Sequence, residues 1–198
     1  YEEAVKVRYL DVLAHVDQDL AETVADNLGL PHPEKQDVAD VEPSKALSQM
    51  GGTWPIDGRQ VGVLISTDIS GDTAAAVGKL VDELSAAGTT PLVVAEKGGT
   101  VNLGDKDTPI SRTCLTASSI EFDAVVVVNP PAKTDVDTIL GECERHKKAI
   151  VAVGEAGKQA LEVARVPADQ PGIVTVDTAD AAAAPVKELL ASHRVWER

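Results

Sequence analysis

Apolar residues along this chain follow two different rhythms. In residues 59–198, five short runs are β-branched and apolar at nearly every position: "VGVLI" (61–65), "PLVVA" (91–95), "AVVVV" (124–128), "AIVAV" (149–153) and "GIVTV" (172–176). A strand without polar alternation is covered on both faces, which predicts a parallel sheet between two layers of helices. Between the runs, three- and four-residue apolar steps predict helices near 72–87, 134–146, 155–164 and 179–193. Strands alternating with helices in this way predict an α/β, doubly wound, mostly parallel sheet with helices on both faces. One segment departs from the pattern. "EKGGTVNLGDKDTPISRT" (96–113) has two glycine turns flanking short β-like pieces and reads as a small hairpin.

The first 58 residues keep neither rhythm for long. In "YEEAVKVRYLDVLAHVDQDLAETVADNLGLP", Val5, Tyr9, Val12, Leu13, Val16, Leu20, Val24 and Leu28 recur at helical spacing, which predicts one isolated helix over 1–30. Gly29 followed by Pro31 is a stop signal. A single stripe has no apolar partner nearby, so it is expected to pack on a domain upstream. A chain that opens at Tyr1, without Met, reads as part of something longer. Residues 31–58 hold prolines, paired glycines and no sustained period, and are expected to form an extended connecting arm. Trp54 within it is expected to anchor the arm in a groove.

Charge and composition narrow the partners. A formal net charge of −14 over 198 residues disfavours nucleic acid and anionic membranes, which are bound through clustered Lys and Arg. There is no run of about 18 apolar residues for a membrane span and no secretory signal pattern. Cys114 and Cys143 belong to no CxxC or Cys/His cluster, so a reducing cytoplasm is the expected compartment. His15, His32, His146 and His193 are scattered without ligand spacing, and no metal site is expected. His146 beside Lys147 and Lys148 suits a helix C-terminus.

Open parallel sheets bind ligands beyond the carboxyl ends of their strands, so those loops carry the candidate chemistry. The loop "STDISGDT" (66–73) is spaced like the phosphate loop of flavodoxins, with Ser70, Gly71 and Thr73 suited to an anion at a helix start. Asp68 and Asp72 oppose it, and Asp72 reads instead as a helix N-cap. A flavin- or nucleotide-binding module using 66–73 is therefore the alternative reading. The turn after "AIVAV" continues Gly154, Glu155, at the place where class I glutamine amidotransferases carry a nucleophile elbow. No Cys, Ser or Thr occurs between Ala149 and Ala164, so that chemistry has no nucleophile. Ser70, Gly71, Asp72, Thr73, Gly154 and Glu155 together outline a cleft that has the placement of a site without its catalytic group.

Several segments in order carry a resemblance: "HVDQDLAETVADNLGLP", "PSKALSQM", "DGRQVGVLI", "FDAVVVV" and "ELLASHRVWER". Over essentially all 198 residues the chain resembles the C-terminal part of the large-subunit monofunctional haem catalases. The resemblance implies a flavodoxin-like, class I glutamine amidotransferase-like domain over 59–198, joined by the arm to a helical segment left from an upstream haem domain. It also implies a homotetrameric parent that disproportionates hydrogen peroxide, with haem in the parent and no cofactor in these residues. The distal His and Asn and the proximal Tyr of that family lie upstream and map onto nothing here; Tyr1 and Tyr9 are not the haem ligand. The expected role of the domain is stability, subunit packing or chaperone-like behaviour.

Overall fold

The computed structural model describes residues 2–37, 44–49, 51–131 and 135–197. The chain divides into two compact units, Tyr1–Ser48 and Gln49–Arg198.

The first unit is a helical hairpin of α1 (Glu3–Ala14) and α2 (Gln18–Leu28). The single helix expected over 1–30 is thus two, and Asp17 is the reason. Its backbone is extended (φ −161°, ψ 121°) and its carboxylate accepts the Leu20 N–H at 2.8 Å, an N-cap that restarts the helix. Apolar spacing runs on through this break, so periodicity alone does not register it. α2 stops as expected at Gly29, which takes the left-handed conformation (φ 65°). The small set Leu10, Ala14, Ala21 and Ala25 is buried, whereas Val5, Tyr9, Val12, Val16 and Leu20 of the expected stripe stay exposed.

The second unit holds a six-stranded sheet in the order β5-β2-β1-β6-β7-β8, parallel at every pairing. Its strands are β1 (Gln60–Ile65), β2 (Thr90–Ala95), β5 (Arg112–Thr113), β6 (Ala124–Asn129), β7 (Ala149–Val153) and β8 (Ile173–Val176). Between them run α3 (Gly71–Ala86), α4 (Val136–Arg145) and α5 (Gly154–Val163), and α6 (Ala183–Ala191) closes the chain. Alternate residues of each strand serve opposite layers. Val61, Val63, Ile65, Val126 and Val151 join Val77, Leu80 and Leu84 of α3 and Val186 and Leu190 of α6. Leu64, Val125, Val127 and Ile150 join Ile139 and Leu140 of α4 and Leu161 of α5. Both sheet faces are therefore covered, as the unbroken apolar runs require, and the α/β, flavodoxin-like class stands.

The expected hairpin in 96–113 is the antiparallel pair β3 (Thr100–Asn102) and β4 (Asp107–Pro109). The two residues of β5 then return to the edge of the main sheet, a pairing too short to leave a pattern in sequence. From β1 the chain winds outward to β2 and later crosses back to β6 on the other side. The gap between the carboxyl ends of β1 and β6 is the switch point of the sheet, where the winding direction reverses and the two connections part. No helix of the described residues is long and apolar enough to cross a membrane.

Candidate functional site

A cleft of about 450 Å³ opens at that switch point, and its walls come from four strand ends. Asp68, Ser70 and Thr73 follow β1, Asn129 ends β6, Gly154 and Glu155 follow β7, and Asp177 follows β8. Of the six residues expected to outline a site, the structure brings Ser70, Thr73, Gly154 and Glu155 together; Gly71 and Asp72 do not line the cleft. Asp72 is also not the N-cap of α3. Ser70 holds that position with extended backbone, without a side-chain cap bond, and Asp72 stands in the first turn, where its charge complements the helix dipole. The helix begins one residue earlier than expected because Gly71 already belongs to it. Asn129 and Asp177 were not singled out in the sequence, although each stands at or just after the end of an apolar run, the position that such folds use.

Gly154 has φ +59°, the left-handed region, at the junction of β7 and α5. A sharp strand-to-helix turn of this kind is the backbone of a nucleophile elbow. A Cβ built at this position would meet only the Asp177 carbonyl oxygen, at an ordinary 3.6 Å, so the space for a side chain exists while the side chain does not. Neither cysteine replaces it. Cys143 is buried with the α4 side of the core and Cys114 is buried after β5, and neither lines the cleft. No histidine lines it either: His15 hydrogen-bonds the Asp11 carbonyl of its own helix, and His146 caps α4 beside the Ser119 hydroxyl at 3.1 Å.

The electrostatics oppose an anion. Asp68, Glu155 and Asp177 line the cleft, and Glu155 is paired outward with Lys158 at 2.7 Å. A phosphate placed among these carboxylates would be repelled at close range, against which the N–H groups starting α3 and α5 are a weak attraction. Among the described residues, no group of three or more His, Cys, Asp or Glu side chains is placed to hold a metal ion. The loop itself is fixed from the side. The Glu96 carboxylate, just beyond β2, accepts the Thr67 N–H at 3.0 Å and also the Thr67 hydroxyl. Burial works against the Glu96 charge, but these bonds outweigh it and hold the carboxyl below its usual range. The elbow position itself, Gly154, offers no side-chain nucleophile for acyl transfer.

Residues 57–198, which include this whole cleft, match the family model of the C-terminal domain found in long catalases. The chain belongs to that family. The full chain is also similar to catalase HPII of Pseudomonas putida, with 34% identity over 202 residues that cover 95% of this chain and 27% of that protein. It is 29% identical to a catalase of Alkalihalophilus pseudofirmus, over 98% of this chain and 29% of the relative. Catalase-2 of Bacillus subtilis is likewise 29% identical, again over 98% and 29%. The chain therefore spans less than a third of the length of these catalases. The similarity to them extends beyond the C-terminal domain proper, across the helical hairpin and the arm.

Proposed function

We propose that this chain is the non-catalytic C-terminal part of a haem catalase, and that the whole protein disproportionates hydrogen peroxide to water and oxygen. Gly154 carries the reading: the chain keeps the backbone of a catalytic elbow, with φ +59°, at a position that has no nucleophile. The match to the C-terminal domain found in long catalases supports it. The described residues do not fit a haem. Tyr9 is 62% exposed on α1, His15 is bonded to its own helix, and the switch-point cleft is lined by carboxylates. On this reading haem and the reaction belong to the remainder of the parent chain.

On this reading the domain serves stability of the parent, packing between the subunits of a homotetramer, or chaperone-like protection. The exposed apolar row of the hairpin, Val5, Tyr9, Val12 and Val16, supports packing on the parent's haem domain. The net charge of −14 supports a protein without nucleic-acid partners, and two cysteines outside any CxxC or Cys/His cluster support a cytoplasmic one.

The test compares three proteins: the full parent catalase, the parent lacking residues 59–198, and this chain alone. The parent should show a haem Soret band and peroxide disproportionation; this chain should be colourless and inert. The truncated parent should keep its haem but melt at lower temperature and lose tetramer. Peroxide disproportionation by this chain alone would overturn the reading, as would a truncated parent of unchanged stability and assembly.

A further inference from the structure

At the end of the sheet opposite the cleft, the arm and the C-terminal tail meet within the second unit. The Trp54 N–H donates to the Ala191 carbonyl at 2.8 Å, satisfying one of the acceptors left open at the end of α6. The Trp54 ring leans over His193, with centroids 6.1 Å apart and planes at 46°. Two residues on, Val195 is buried and its N–H donates to the Lys147 carbonyl at 2.8 Å. Gly172 makes the seat for it: a Cβ there would lie 2.4 Å from the Val195 Cγ2. One carboxylate then ties both segments, because Asp123 Oδ1 lies 3.2 Å from the Arg59 Nη1 that enters β1 and 3.6 Å from the Arg194 Nη1 of the tail. Lys147 and His193 both hold positive φ (57° and 65°), a conformation that non-glycine residues keep only where surrounding contacts impose it.

We propose that residues 192–196 form a strap that clasps the arm at Trp54, and that protonation of His193 loosens it. The groups facing the imidazole make a proton unwelcome. Arg194 and Arg59 act on it from the tail and arm sides, and the Asp123 carboxylate, which favours the proton, is already shared by both guanidiniums. Lys148, just before β7, adds a further buried cation near Asp123 and Arg194, with its ammonium bonded to the Ser119 carbonyl. The Trp54 ring, tilted and 6.1 Å away, is at the limit of cation–π reach and offers little compensation. Partial burial, then Arg194 and Arg59, lower the His193 pKa below 6.5, while Asp123 pulls the other way. A folded pKa below the unfolded one means that the unfolded tail binds the proton more readily. The contribution of His193 to the closed strap is complete above pH 6.5 and is lost as pH falls through the folded pKa.

Hydrogen exchange of the Trp54 amide in the 198-residue chain, corrected for the intrinsic pH dependence of exchange, reads the clasp directly. Its protection should fall as pH drops from roughly 7.5 to 5.5. The fall should vanish in His193→Asn, which removes the titration while tolerating positive φ. In Arg59→Gln the His193 imidazole, followed by its NMR titration, should move to higher pKa and the fall should shrink. Protection that does not change with pH, or an equal fall in His193→Asn, would overturn the proposal. So would a parallel loss of protection throughout β1 and β6, which reports global unfolding, or an unmoved His193 titration in Arg59→Gln should the asparagine variant not fold.

Discussion

The helical hairpin and the α/β unit solve the burial problem in opposite ways. The sheet places Leu64, Val125, Val127 and Ile150 between two layers, each with essentially no exposure. The hairpin buries one leucine and three alanines and leaves Val12 57% and Val16 71% exposed. A two-helix element of this size cannot surround its own apolar residues, whereas a sheet with helices on both sides surrounds every strand. The α/β unit encloses its apolar residues; the hairpin leaves much of its apolar row exposed.

Separating the two units probes this contrast most severely. Residues 49–198 expressed alone should melt in one cooperative transition, while a peptide of residues 1–48 should lose most of its far-UV helical signal; a stably helical peptide breaks the comparison. Single side chains follow. Leu64→Ala should destabilise the α/β unit by about 3 kcal/mol in urea unfolding, because a fully buried leucine leaves a cavity in a core that cannot collapse. Val12→Ala, on the exposed face of the hairpin, should stay within about 0.5 kcal/mol in this chain. Asp17→Ala should cost about 1 kcal/mol of hairpin helicity through the lost Leu20 cap, without moving the urea midpoint of the α/β unit.

The smallest difference between the units is their response to acid, and its sign is opposite in each. In the first unit, the His32 imidazole lies 2.8 Å from the Asp26 carboxylate of α2, and this bond, with the nearby Glu22, raises its pKa above 6.5. Its contribution is fully present below pH 6.5 and is lost as pH rises through the folded pKa. His193 in the α/β unit runs the other way. NMR titration of the two imidazoles should therefore bracket 6.5 from above and below, and coincident midpoints would remove the distinction.

Much of the fold was legible because the apolar runs of the strands are long enough to state their own burial. Glycine turns marked the β3–β4 hairpin, and Gly29 marked the end of α2. The missed features depend on single side chains or on distant partners. Asp17 breaks a helix whose apolar spacing runs on undisturbed. Two residues of β5 acquire strand character only by lying beside Val94 and Ala95. Asp72 has the chemistry of a cap, but the start of α3 was set by Ser70 and Gly71. In the cleft, the residues at the ends of β1 and β7 were readable from strand-then-helix order, while Asn129 and Asp177 joined them only through the order of strands across the sheet. Trp54 was expected in a groove; its partners, Ala191 and His193, lie about 140 residues further along the chain and no local pattern connects them.

The sequence by itself determined the α/β class, the position of the ligand-site loops and the absence of a nucleophile at Gly154, because each is written in consecutive residues. Tertiary structure alone decided that the cleft is walled by Asp68, Glu155 and Asp177, that Glu96 holds its first loop, and that the arm is clasped by the tail. These depend on which strand ends and which chain segments become neighbours, and that is settled by burying both faces of one sheet at once rather than by any local preference.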